Sequence, residues 1–103
     1  MSWHPKHFAD PERMIEELDR SGRKLVTIVD PHLKKDDSWE IYREVIDKNL
    51  TVKANDGKSD FVGDCWPGKS VWTDYTNPEA REWWAGLFAT DKYKVKFFKL
   101  TIL

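Results

Sequence analysis

Asp30 and His32 follow directly on an apolar run from Leu25 to Val29, and Trp66 stands before Pro67 and Gly68 at the end of a second extended stretch. A carboxylate and an imidazole at the carboxyl end of a buried strand lie where α/β barrels bring substrates to side chains. An indole left at the mouth of a sharp turn offers a flat apolar face that suits the axial C–H surface of a pyranose. Each has a structural alternative: Asp30 bonding the amides of its own turn before Pro31, His32 holding that loop, and Trp66 plugging the loop's base. Further carboxylates occur at Asp36, Asp37, Asp60, Asp64 and Asp74. A glycosidase needs two of them facing each other across the scissile bond, whereas capping and turn chemistry accounts for Asp36, Asp37 and Asp60. Cys65 has no predicted base beside it and reads as a buried, inert thiol. His4 and His7 are three apart, but Pro5 intervenes and no Cys or acidic cluster completes a metal site, so neither a metal nor a cofactor is expected.

The elements that must position these groups alternate. Asp10 caps a first helix with Pro11 at its first position, Met14, Ile15 and Leu18 share a face, and Gly22 ends it. Leu25 to Val29 has no polar alternation and reads as a strand covered on both faces, at home in a parallel sheet. Asp37 and Glu40 form a capping-box spacing ahead of Ile41, Tyr42, Val45 and Ile46, with a helix end near Asn49. Thr51 to Ala54 and Asp60 to Trp66 are extended stretches joined by a hairpin turn at Asp56 and Gly57. Asn77 and Pro78 open a third helix with Ala80, Trp84, Leu87 and Phe88 on one face, where Trp83 and Trp84 serve packing. Strands alternating with helices predict right-handed βαβ crossovers.

The totals exclude several classes. Seventeen basic against eighteen acidic residues leave a net charge of −1, which carries no electrostatic footprint for nucleic acid or an anionic membrane. No apolar run approaches the length of a bilayer span. Met1 to Phe8 lacks the apolar core of a secretory signal, which implies a cytoplasmic place if Met1 is the true start. The one cysteine allows no internal disulfide.

Three blocks, Lys24 to Lys34, Asp64 to Gly68 and Asp74 to Trp84, resemble in order and spacing the catalytic barrel of glycoside hydrolase family 31. The run Val29, Asp30, Pro31, His32 points to the glucosidase II branch. The similarity extends from about Trp3 to Lys94 and includes Asp56 to Gly63. It implies an α/β fold, a fragment of a (β/α)8 barrel with a few βα units and a β-hairpin insertion, because a complete barrel takes about 250 residues. Residues 1–94 are then the partial barrel, and 95–103 a divergent tail that is expected to form a strand. Family members are retaining exo-α-glucosidases that work through a glycosyl-aspartate, with a second aspartate as acid and base. The resemblance places the nucleophile in a Trp-Asn-Asp-Met-Asn-Glu-Pro strand after Tyr93, where Val95 to Leu103 stands instead, and the acid/base further on. No catalytic residue is therefore assigned, and the chain alone is expected to be inactive. The resemblance also implies that Ile28 and Trp66 line the pocket for a terminal glucose while Asp30 and His32 frame it; core packing is the equal alternative for Ile28. A glucose-terminated oligosaccharide is the implied partner and the endoplasmic reticulum lumen the implied compartment. Open sheet edges are expected to permit self-association. The alternative function is a non-catalytic carbohydrate-binding or protein-interaction fragment.

Overall fold

The computed structural model describes residues 3–89 of the 103-residue chain. The chain divides into two units, residues 30–86 and residues 1–29 with 87–103. The expected strand over 95–103 lies outside the described residues.

In the unit that begins the chain, α1 spans Pro11–Arg20, and the Asp10 carboxylate accepts from the Arg13 amide at 3.0 Å, as its N-cap position predicts. The helix ends at Gly22, whose φ of 70° is the left-handed conformation that such an end requires. The Arg23 amide reaches Leu18 O and the Gly22 amide reaches Asp19 O, both at 2.9 Å, which together make a Schellman end. Residues 23–30 form no regular element and join no ladder among the described residues. The expected doubly covered strand is therefore not what stands here: Val26 is 57% and Ile28 88% exposed, while Leu25, Thr27 and Val29 are half-buried. β-branched composition favours a strand, but a ladder also needs a neighbouring backbone about 4.8 Å away.

In residues 30–86 the sheet has three strands: β1 (His32–Lys34), β2 (Gly63–Cys65) and β3 (Gly68–Trp72) in the order β1-β3-β2. Both pairings are antiparallel, with Leu33 opposite Val71 and Gly63 opposite Ser70. No parallel pair of strands occurs among the described residues. Only Trp66 and Pro67 separate β2 from β3, and so short a link forces an antiparallel pair. The predicted hairpin does form: the Phe61 amide donates to Val52 O at 2.9 Å and the Ala54 amide to Ser59 O at 2.8 Å. Gly57 carries a φ of 67° in its turn, and the Asp56 carboxylate accepts from the amides of Lys58 and Ser59. Asp60, half-buried, is paired with Lys53 at 2.5 Å and bonded to the Thr51 hydroxyl.

α2 (Glu40–Asp47) and α3 (Pro78–Gly86) complete the unit. The capping box expected of Asp37 and Glu40 is absent, since α2 is preceded by Trp39 with no side-chain cap. Asp36 organises this turn instead, accepting from the Ser38 amide at 3.1 Å and the Ser38 hydroxyl at 2.6 Å, with Lys34 at 3.0 Å. The two-residue reach of an Asx turn suits Asp36 better than a helical box suits Asp37. α2 ends where Asn49, at a φ of 56°, lets the Leu50 amide return to Val45 O at 3.0 Å. Leu50 and Val45 then pack with Leu33, Tyr42, Val71 and Ala80 into one core, against which Trp83 and Trp84 also rest. α3 begins as read, with Asn77 Oδ1 accepting from the Glu79 amide at 2.9 Å.

The Asp36 turn predicts a pH response. The Ser38 hydroxyl first, then the Lys34 ammonium, hold the Asp36 carboxyl down at about 2 from the ordinary 3.8. A folded value below the unfolded one means that the turn's contribution is complete above about 3.8 and is lost as pH falls toward about 2. The Ser38 amide resonance should therefore titrate with a midpoint near 2. A midpoint at the ordinary value of 3.8 would show the carboxylate unengaged.

Candidate functional site

The turn that carries Trp66 is built by its neighbours. Cys65 faces Gly68 at the end of the β2–β3 ladder, leaving Trp66 and Pro67 as the loop. Pro67 restricts its own φ to about −65°, and Gly68 takes a φ of 100°, which a side chain would disfavour. Trp66 consequently projects from the sheet and is 94% exposed; it does not plug the base of its loop. Asp64, one residue before Cys65, pairs with Lys69 across the ladder at 2.8 Å.

The structure brings together two residues the sequence reading kept apart. Cys65 Sγ lies 3.4 Å from His32 Nδ1, a contact between positions thirty-three residues apart. Cys65 is half-buried rather than buried, and it does have an imidazole beside it, contrary to the expectation of an isolated thiol. No local pattern links His32, a site candidate or a holder of its own loop by sequence, to Cys65; only the pairing of both strands with β3 does. Trp72 completes this face. Its ring lies 6.4 Å from His32 and 5.4 Å from Phe61, measured between centroids. It also covers Gly63, where an added Cβ would meet the indole at 3.0 Å. The close approach of Trp72 explains why β2 begins with glycine, a signal that the sequence reading passed over.

Asp30 is exposed and makes no hydrogen bond among the described residues, so it does not fasten its own turn. Ile28, in the other unit, is 88% exposed and is no core residue of the described chain. Asp36, Asp60, Asp64 and Asp74 are engaged. Asp74 accepts from the Thr76 amide at 3.0 Å and the Thr76 hydroxyl at 2.6 Å, contacts that lower its pKa, the hydroxyl contributing most. Burial is the largest influence on Asp60 and pushes upward, yet the Lys53 and Thr51 bonds leave its pKa lowered. His4 and His7 stack with ring centroids 4.6 Å apart, and among the described residues no three His, Cys, Asp or Glu side chains gather as a metal site. No helix among them is long and apolar enough to cross a membrane.

Comparison with known proteins agrees with the motifs. The chain is 43% identical over 93 residues to glucosidase 2 subunit alpha of Schizosaccharomyces pombe and 45% identical over 93 residues to human neutral alpha-glucosidase AB. In each case the match takes in 90% of this chain and 10% of the relative, so the chain spans about a tenth of their length. Among solved structures, the glucosidase II alpha subunit in its Glc1Man2-bound form superposes with a TM-score of 0.87 at 48% identity, over 98% of this chain and 11% of that one. A family 31 alpha-glucosidase from Bacteroides thetaiotaomicron superposes at 0.75 with 32% identity, over 85% of this chain and 15% of that one. The family described as the glycosyl hydrolases family 31 TIM-barrel domain matches residues 1–101. With nearly its whole length matched, the chain belongs to glycoside hydrolase family 31 through that family's TIM-barrel domain.

Proposed function

We propose that the chain is a segment of the catalytic barrel of an α-glucosidase of the glucosidase II type, supplying part of the wall of a glucose pocket and none of the bond-breaking groups. In this reading Trp66 offers its indole face to a terminal glucose and Ile28 lines the pocket, with Asp30 and His32 framing it. The single observation that carries it is the Trp66 turn: a tryptophan 94% exposed at the tip of a hairpin is unusual unless its face is used. Glucosidase II alpha subunits solved with Glc1Man2 and with DNJ bound support a glucose-terminated oligosaccharide as the substrate class. A neighbour solved as the ER glucosidase II heterodimeric complex supports the endoplasmic reticulum lumen and a regulatory subunit as the setting of the whole protein. Leu25 to Val29, β-branched in composition and unpaired among the described residues, fits a barrel strand whose neighbours lie elsewhere in a whole barrel. In the isolated chain, its backbone and the outer edge of β2 are the surfaces through which copies would associate.

Deoxynojirimycin titrated into the chain should bind weakly, because an indole 94% exposed offers a sugar one open face and little enclosure. Trp66→Ala should weaken this binding on the order of tenfold, the scale of one stacked ring, while Trp83→Phe should leave it unchanged. Equal affinity in the wild type and Trp66→Ala would overturn the assignment of the indole.

A further inference from the structure

We propose that His32 is a positioning residue for Trp66, acting through Cys65 across the face of the sheet opposite Leu33 and Val71. Trp66 has no packing of its own to hold it, since its indole is 94% exposed and in no ring contact among the described residues. Its direction is set by the backbone of the turn. Pro67 removes one degree of freedom and Gly68, at a φ of 100°, accepts the conformation the turn needs. The remaining freedom sits at Cys65, the last residue of an edge strand only three residues long.

The contact with His32 restrains that strand. β1 and β2 flank β3 and are not paired with each other, so the 3.4 Å approach of Cys65 Sγ to His32 Nδ1 joins two strands that the ladder leaves separate. His32 is opposite Trp72 while Cys65 is opposite Gly68, which places them at opposite corners of the sheet. In a flat sheet those corners would stand about 13 Å apart along the strand direction alone. Their contact requires a strongly coiled sheet, and whichever partner carries the proton, the bond closes the coil at the base of the Trp66 turn. Gly63 permits the curl by leaving room for the Trp72 ring. Breaking the bond frees β2 at its turn end and leaves the core of Leu33, Val45, Leu50 and Val71 untouched.

The inference rests on the reading of Trp66 as the sugar-facing residue, but it is tested without sugar. The 103-residue chain is labelled with 5-fluorotryptophan, and Trp66→Phe identifies the Trp66 line in the ¹⁹F spectrum. Cys65→Ala and His32→Ala should each lose the single narrow Trp66 line to broadening or splitting, as the turn exchanges between conformers. The Trp72 and Trp83 lines should persist, and Cys65→Ser, which keeps a polar hydrogen at the same place, should restore the Trp66 line. An unchanged Trp66 line in either folded alanine variant overturns the proposal. So does collapse of all tryptophan lines in both, which would make the pair a determinant of the fold rather than of the turn. A loosened turn together with a sugar titration indifferent to Trp66 would sink the pocket reading alone.

Discussion

Replacing Leu50 by Ala is expected to unfold residues 30–86. Leu50 is 1% exposed and sits just past α2, where its amide bonds Val45 O at 3.0 Å and its side chain joins Val45 in the core. It is thus both the closing residue of the helix end and one of six buried members of a small cluster. A buried Leu→Ala change costs about 2–5 kcal/mol, because transfer energy is lost and a cavity remains. Small domains sit at or below the low end of the usual 5–15 kcal/mol of net stability, roughly in proportion to the surface they bury. A urea or thermal melt followed by circular dichroism should show the cooperative transition lost or moved to much milder conditions. Val52→Ala, at a position 37% exposed, is the control and should change stability by no more than about 0.5 kcal/mol. A Leu50→Ala melting temperature within about 2 °C of the wild type would show that this core does not hold the unit together.

A chromogenic α-glucoside incubated with the 103-residue chain should remain intact. Retaining cleavage needs two carboxyl groups about 5 Å apart, and inversion needs two at roughly 6.5–9.5 Å. Of the carboxylates singled out in the motifs, Asp36 is held by Ser38 and Lys34, Asp60 by Lys53, Asp64 by Lys69 and Asp74 by Thr76. Hydrogen bonds to hydroxyls and amides keep Asp36 and Asp74 ionised, and an ionised carboxylate is unsuited to act as the acid. Asp30 and Asp37 remain, but the three extended residues of β1, about 10 Å of backbone, and the residues on either side of it lie between them, more than either geometry allows. The expected release of chromophore is therefore zero above the uncatalysed rate. Turnover that survives purification and disappears on Asp30→Asn or Asp74→Asn would overturn this, and with it the view that the bond-breaking groups lie outside these residues.

What could be read from the sequence was what is decided within a few residues. Asp10 and Asn77 cap their helices as their types and spacing require, Gly22 takes the left-handed end, and Asp56 with Gly57 makes the hairpin turn. Trp83 and Trp84 pack as an amphipathic helix predicts, and the three motif blocks identify the family. Even locally, Asp36 and Asp37 are adjacent acceptors of the same type, either able to start a helix, and only the observed turn, in which Ser38 donates to Asp36, separates them. Leu25 to Val29 shows the larger limit. Its composition favours a strand, yet it joins no ladder among the described residues, because whether it pairs, and on which side, depends on backbone that the segment does not contain. The antiparallel order β1-β3-β2, the approach of the Trp72 ring to Gly63 and the meeting of His32 with Cys65 were decided by tertiary structure alone. Hydrogen-bond partners across a sheet are chosen by strand order and twist, which act between residues tens of positions apart and leave no periodicity in the chain to read.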